Sequence, residues 1–99
     1  MARNQEVVTC PPGVWTELTN SDVTQITFQV VFGVAEIRAT DGTAPSDSDR
    51  GYIYRNDGID YHEGELRIDV ATLAEASGVD RVFARPLNSR NAKIIVDHA

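Results

Sequence analysis

Residues 24–32 alternate between apolar and polar side chains, and this alternation limits the fold more than any other feature of the sequence. Ile26, Phe28, Val30 and Phe32 fall on one face of an extended chain, and Thr and Gln occupy the positions between the first three. Neighbouring side chains of a β-strand point to opposite faces of its sheet. The segment is therefore predicted to be a strand with one buried and one solvated face.

Gly33 interrupts the alternation directly after Phe32. A glycine at such a point is typical of a turn or a β-bulge. Apolar residues return at alternate positions beyond it, at Ala35, Ile37 and Ala39. The pattern favours a hairpin that turns at Gly33, with the second arm over residues 34–40.

Further strands and one helix complete the predicted fold. Strands are predicted at residues 14–18, 51–55, 65–70, 81–85 and 92–97. A short helix is predicted over residues 71–77, begun by Asp69 or by a Thr72–Glu75 capping box and ended by Gly78. About seven short strands separated by turns, with one short helix, predict a mostly β fold: a small antiparallel β-sandwich or barrel.

A chain of 99 residues has the size of one domain. We expect a single β domain over residues 13–99, preceded by an extended N-terminal arm over residues 1–12. The arm contains a strand-like segment made of Glu6, Val7, Val8 and Thr9. An extended segment of this kind can add a strand to an exposed sheet edge, so these four residues are predicted to contact a neighbouring subunit.

The net charge of −6, from nine basic and fifteen acidic residues, limits the choice of partner. Binding to nucleic acid depends on many Lys and Arg contacts to phosphate, so we expect neither nucleic acid nor an anionic membrane as a partner. Residues 41–69 hold eight acids and three bases, a balance of −5, and residues 79–99 hold two acids and four bases, a balance of +2. This segregation favours either head-to-tail association or two separately solvated faces.

The densest cluster of titratable residues contains no recognised catalytic or metal-binding spacing. Its members are Asp57, Asp60, His62, Glu63 and Glu65. The second histidine of a zinc-protease helix is missing, and the oxygens do not follow the spacing of a calcium loop. No glycine-rich phosphate loop occurs either. We therefore predict no catalytic residue, no cofactor and no metal, and expect a protein that is not an enzyme. The alternative that would use this cluster is a small hydrolase or calcium-dependent factor centred on residues 57–65.

Cys10 is the only cysteine, which excludes an internal disulfide. It precedes Pro11 and Pro12, so no helix N-terminus is expected beside it to lower the pKa of its thiol. We predict a small buried or half-buried thiol. The first eight residues contain no long apolar run, and we expect no signal peptide and no membrane span.

Aromatic side chains offer a second route to an interface. Tyr52 and Tyr54 share one face of a predicted strand, and Trp15 is the only tryptophan. Tyr is enriched in protein interfaces, so the pair is predicted to contact a partner, whereas Trp15 is predicted to fill the core. A carbohydrate-binding β module that uses all three rings is an alternative.

Five stretches, in this order along the chain, resemble short virion proteins of tailed bacteriophages. They are VWTELTN at residues 14–20, ITFQV at 26–30, EIRATDGTAP at 36–45, RVFAR at 81–85 and AKIIVDHA at 92–99. The resemblance is to capsid decoration, or cement, proteins and covers most of the chain. It implies synthesis in the host cytoplasm and a homotrimer on the virion surface that binds the major capsid protein and clamps adjacent subunits. A head–tail joining or tail component is the nearest alternative.

Overall fold

The computed structural model describes residues 3–56, 63–73 and 79–98. Its strands are β1 (Glu6–Cys10), β2 (Thr16–Glu17), β3 (Gln25–Thr40), β4 (Tyr52–Asn56), β5 (Gly64–Asp69), β6 (Arg81–Pro86) and β7 (Ala92–Asp97). All strand pairs are antiparallel. The predicted class, a mostly β antiparallel fold of about seven strands with the shape of a small barrel, is confirmed. Where a helix was predicted, Val70–Leu73 forms a 3₁₀ helix, and residues 74–78 lie outside the described residues.

The 16-residue strand β3 belongs to two sheets at once. Its N-terminal half lies between β7 and β5, and β1 extends this first sheet beyond β7. Its C-terminal half lies between β6 and β4, and β2 extends this second sheet beyond β6. The predicted hairpin at Gly33 is therefore wrong, because the chain continues through this residue as one bent strand.

β3 bends at a β-bulge whose inserted residue is Val31, and Gly33 lies directly after it. A bulge was the other structure predicted at this point of the chain. The pairing with β7 shifts between Val30 and Phe32, and Gly33 has a φ of +91°. A Cβ at residue 33 would also lie 3.2 Å from the Asn91 carbonyl oxygen. Glycine is needed here because it adopts positive φ without steric cost and admits the neighbouring backbone.

The bulge changes which alternate positions of β3 face the core. Even-numbered side chains are buried before it and odd-numbered ones after it: Ile26, Phe28 and Val30, then Ala35, Ile37 and Ala39. Each inserted residue shifts the alternation by one position. Phe32 was predicted on the buried face, and this prediction is wrong: its side chain is 49% exposed.

The core lies between the two sheets and takes buried apolar side chains from both. Besides the β3 residues, it contains Val8, Cys10, Leu18, Val23, Val70, Leu73, Val82, Ala84, Ala92, Ile94 and Val96. Val8 and Cys10 reach it because Glu6–Cys10 pairs with β7 along its whole length. This segment, predicted as part of an arm, is thus a strand of the domain. Cys10 is buried, as predicted.

Replacing Gly33 with Ala tests whether the close contact at the bend adds to the cost of positive φ. Gly13 is a matched control, since its φ is +83° and a Cβ there would meet no atom within 4 Å. We expect Gly13→Ala to lower the free energy of unfolding by about 1 kcal/mol and Gly33→Ala by about 2 kcal/mol. Urea unfolding measures both. Equal losses for the two variants would contradict the role of the contact with residue 91.

Burial raises the pKa of the Cys10 thiol from its ordinary value of 9.0 to about 11, against a small opposite effect of a hydrogen bond with Thr16. The stability contributed by burying the neutral thiol is therefore present at neutral pH and decreases as the pH rises from about 9 to about 11. Because the thiolate is the reactive form, we expect alkylation of the folded protein to be about 100-fold slower than that of the unfolded chain at mildly alkaline pH. Mass spectrometry after timed treatment with iodoacetamide measures this. Similar rates would mean that Cys10 is accessible in the folded state.

Candidate protein-interaction surface

The two sheets differ in what covers the faces that point away from the core. On the second sheet, Ala35 and Ile37 face the core, so Glu36 between them points to the outer face. Glu36 is nevertheless only 1% exposed. The covering loop, residues 41–51, folds back over this face and buries it.

The Glu36 carboxylate holds the covering loop to the sheet. Its Oε1 accepts hydrogen bonds from the Gly51 N–H at 2.8 Å and the Arg50 Nε at 3.2 Å. Its Oε2 accepts from the Arg85 Nε and Nη2 at 3.2 and 3.1 Å. A buried carboxylate paired to this extent is compensated for its loss of water, and removing either side leaves an unpaired charge.

Arg85 extends the attachment to the backbone of the covering loop and to Trp15. Its Nη1 and Nη2 each donate to a loop carbonyl oxygen, those of Asp47 and Asp49, at 3.0 Å. Its guanidinium lies 4.6 Å from the centre of the Trp15 ring, and the indole N–H donates to the Ser46 carbonyl oxygen at 3.1 Å. Trp15 is therefore outside the core, contrary to the prediction: its indole N–H holds the loop, and its ring makes a cation–π contact with Arg85.

No segment among residues 3–56, 63–73 and 79–98 covers the outer face of the first sheet in a comparable way. Val7, Ile95, Gln29 and Gly64 lie in register across β1, β7, β3 and β5. Val7 is 56% exposed and Gln29 is exposed, so no described residue covers them. We call this region, together with Leu66 on β5, the bare face.

Leu66 is the most exposed apolar side chain on the bare face, at 82%. The pairing of β5 with β3 is irregular between Ile26 and Phe28, and Arg67 has a φ of +50°. The Arg67 N–H donates to the Thr27 hydroxyl at 3.0 Å, which holds this conformation. Positive φ is costly for a residue other than glycine. The strained bulge carries Leu66 away from the protein.

A shallow groove of about 510 Å³ runs beside Leu66 on the bare face. Its walls include Gln5, Gln29, Ile95 and Asp97. Gly64 also lines the groove. Only glycine fits at this position, because a Cβ would overlap the Phe28 carbonyl oxygen. An apolar groove with polar groups at its border has the composition expected of a protein-binding surface.

Tyr52 and Tyr54 share a face, as predicted, and only the first is available to a partner. They pair with Ile37 and Ala35, on the core side of the second sheet. The Tyr54 ring packs edge-on against Phe28 at 4.9 Å, and its hydroxyl donates to Glu65 at 3.1 Å. Burial and the Glu65 charge raise the pKa of Tyr54 to about 12. Tyr52 is 54% exposed, and its contact with a partner stays a prediction.

The free edge of β4 offers few groups to an added strand. The Arg55 N–H donates to the Glu63 side chain at 2.7 Å, and the Arg55 carbonyl accepts the Glu63 N–H at 2.9 Å. The Gly51 N–H is bound to Glu36. Edge groups that are already paired protect a sheet against pairing with another chain.

The other predicted residues are distributed over several sites. In the segment Glu6, Val7, Val8 and Thr9, all side chains but that of Val8 are exposed. Asp57, Asp60 and His62 lie outside the described residues. Within residues 3–56, 63–73 and 79–98, no group of three or more His, Cys, Asp or Glu side chains is placed to hold a metal ion.

A second, polar groove of about 420 Å³ lies at one end of the first sheet. Asp22, Gln25, Arg67 and His98 contribute to its walls. The His98 Nε2 accepts the Arg3 N–H at 3.4 Å. Burial, with the nearby Arg3 charge, lowers the pKa of His98 and so favours the neutral form of this side chain. The groove offers hydrogen bonds but little apolar area.

Comparison with known protein families, curated proteins and solved structures finds no match to this chain. The described residues include no helix that is long and apolar enough to cross a membrane. The bare face, defined by its exposed apolar side chains and its contrast with the covered second sheet, is the candidate functional site.

Sequence reasoning missed the two features that define this contrast. Glu36 follows the polar alternation of an exposed strand position, and its partners, Arg50 and Arg85, are distant in sequence. Leu66 is exposed through a backbone conformation that glycine would signal, but the residue there is Arg67.

Replacing Glu36 with Gln tests the attachment of the covering loop. The change leaves Arg85, which is 13% exposed, without a buried countercharge. We expect the free energy of unfolding to fall by about 3 kcal/mol and trypsin to cleave faster after Arg50. Glu6→Gln is the control, because the Glu6–Arg3 pair is more exposed and should contribute less than about 1 kcal/mol. Equal effects of the two changes on stability and cleavage would contradict this role of Glu36.

Proposed function

We propose that this protein is a non-enzymatic structural protein that binds another protein through the bare face, as a capsid decoration protein of a tailed bacteriophage does. The observation that carries the binding role is the contrast between the two sheets. One outer face is covered by the chain's own loop, whereas the other presents Val7 and Leu66 to solvent beside the half-buried Ile95. The sequence resemblance supports the choice of the major capsid protein as partner.

Leu66 is the expected centre of contact. Complete burial of a leucine side chain contributes about 1.5–3 kcal/mol, and few residues supply most of the energy of a typical interface. Leu66 projects from a β-strand beside a groove, so a partner can enclose it without unfolding any part of this domain. The strain at Arg67 supports the same proposal, because strained backbone is concentrated at functional sites.

Acidic side chains border the bare face and define the complementary chemistry. Asp97 lines the groove, and Glu6, which is paired with Arg3, lies on β1 at the edge of the first sheet. Favourable interfaces place opposite potentials in contact, so the partner surface is expected to be apolar at its centre and basic at its border. The proposed location is the outer surface of the capsid.

The head–tail joining or tail alternative would use the same face and differs in assembly size. A trimer or monomer favours decoration, and a ring of six or twelve copies favours joining. The carbohydrate alternative is less well supported. Trp15 lies on the outer face of the second sheet, and Tyr52 lies on its core side, so the two rings do not form one stacking platform.

Replacing Leu66 with Asp tests the proposed face. The side chain is 82% exposed, so the free energy of unfolding should change by less than about 0.5 kcal/mol. The probe is an empty capsid shell assembled from the major capsid protein encoded near this gene. We expect the native chain to cosediment with the shells and Leu66→Asp to lose at least about 10-fold in affinity.

Val14→Asp is the matched control, because Val14 is 51% exposed and adjoins Trp15 on the side of the covered sheet. This variant should bind as the native chain does. Undiminished binding of Leu66→Asp would contradict the role of the bare face. A gene location in a metabolic operon, with no capsid gene nearby, would contradict decoration itself.

A further inference from the structure

The bend in β3 and the turn between β6 and β7 form an exposed corner that is both apolar and basic. Phe32 pairs with Lys93 on β7, and the Leu87 N–H donates to the Val34 carbonyl oxygen at 3.1 Å. Arg90 lies in the same turn as Leu87. We call Phe32, Leu87, Arg90 and Lys93 the basic corner.

The basic corner contains basic side chains without an ion-pair partner among the described residues, and apolar side chains that are partly exposed. Phe32 is 49% exposed and Leu87 37% exposed. Of the nine basic residues, all within the described ranges, five form ion pairs with acidic side chains. Arg90 and Lys93 form none among the described residues. Two free cations beside an exposed aromatic ring, on a protein of net charge −6, fit an acidic ligand.

The covering loop presents matching acidic groups. Asp41 and Asp47 are exposed, and neither forms an ion pair with a described residue. The Asp41 Oδ1 accepts the Thr43 N–H at 3.2 Å, and Arg85 holds the Asp47 carbonyl oxygen at 3.0 Å. These carboxylates are therefore displayed on an anchored loop, which reduces the entropy lost when a partner binds them.

We propose that the basic corner of one copy binds the covering loop of a second copy, with Arg90 and Lys93 facing Asp41 and Asp47. Phe32 supplies the apolar contact. The two surfaces are different, so the contact is heterologous: an open assembly keeps one unoccupied corner and one unoccupied loop, at its two ends, until a ring closes. The net charge of −6 repels two copies in every orientation, and only an orientation that places the basic corner against acidic groups offsets this repulsion locally. A second copy is the occupant because this chain itself presents both complementary surfaces.

Charge exchange between the two surfaces tests this pairing. Arg90→Glu with Lys93→Glu lowers the net charge from −6 by four to −10, and Asp41→Lys with Asp47→Lys raises it by four to −2. Each double variant should be monomeric, although the second has less overall repulsion than the native chain. Their equimolar mixture should associate, because every contact between unlike copies pairs opposite charges. The fourfold variant, with the native charge of −6, should associate by itself.

Size-exclusion chromatography with multi-angle light scattering, over a wide range of protein concentration, measures the assembled mass. Arg90→Glu and Arg67→Glu provide a matched pair, since each has a net charge of −8 and only the first alters the basic corner. We expect Arg90→Glu to weaken association by at least about 10-fold and Arg67→Glu to leave it unchanged. Circular dichroism verifies that all variants are folded.

Three results would overturn the proposal: a monomeric native protein at every concentration, association of both double variants, or a fourfold variant that stays monomeric. If the basic corner binds only a different acidic protein, the native chain stays monomeric at every concentration, which is the first of these results. Leu66→Asp should leave the assembled mass unchanged, because Leu66 belongs to the bare face. Failure of this contact and failure of capsid binding are thus separate results.

Discussion

The bulge at Val31, directly before Gly33, is the constraint on which the rest of the structure depends. Four of the six strand pairings in the described part of the chain involve β3, and its two halves belong to different sheets. Without the bulge, a strand whose even-numbered residues face the core would direct Glu36 inward and Ala35 and Ile37 outward. The inserted position corrects the alternation while the strand bends. A single core between two sheets thus follows from the inserted residue Val31 together with the left-handed glycine directly after it.

The same alternation explains why the two outer faces have different chemistry. After the bulge, Glu36 points away from the core at the centre of the second sheet, where β4 and β6 flank it. A carboxylate can stay buried there only with cations and N–H donors around it, and Arg50 and Arg85 provide them from distant segments. Before the bulge, Gln29 occupies the corresponding outward position. An amide that remains hydrated needs no cover, so that face stays open to a partner.

The sequence was informative about local structure and uninformative about pairing. Alternation at residues 24–32 predicted a strand, and Gly33 predicted a turn or a bulge, because both conformations use positive φ. Only the strands on either side distinguish a hairpin from a bent strand, and their positions are tertiary information. Val8 and Cys10 likewise share one face of a short extended segment, but the pattern alone does not say that β7 lies beside it. The site escaped prediction because Leu66 and Glu36 owe their environments to long-range contacts.

The exposure of Phe32 on the surface has the same cause as the burial of the core residues that follow it in β3. The shift in alternation that buries Ala35 also turns Phe32 outward, so an aromatic side chain placed in an apolar pattern is left half exposed. Exposure of so large a ring brings no gain in folding stability, because only buried apolar area contributes. Its neighbours at the bend, Arg90 and Lys93, are two of the four basic residues that form no ion pair with a described residue. The bend that creates one core therefore also creates the surface at which a second copy can add the burial that this small domain lacks.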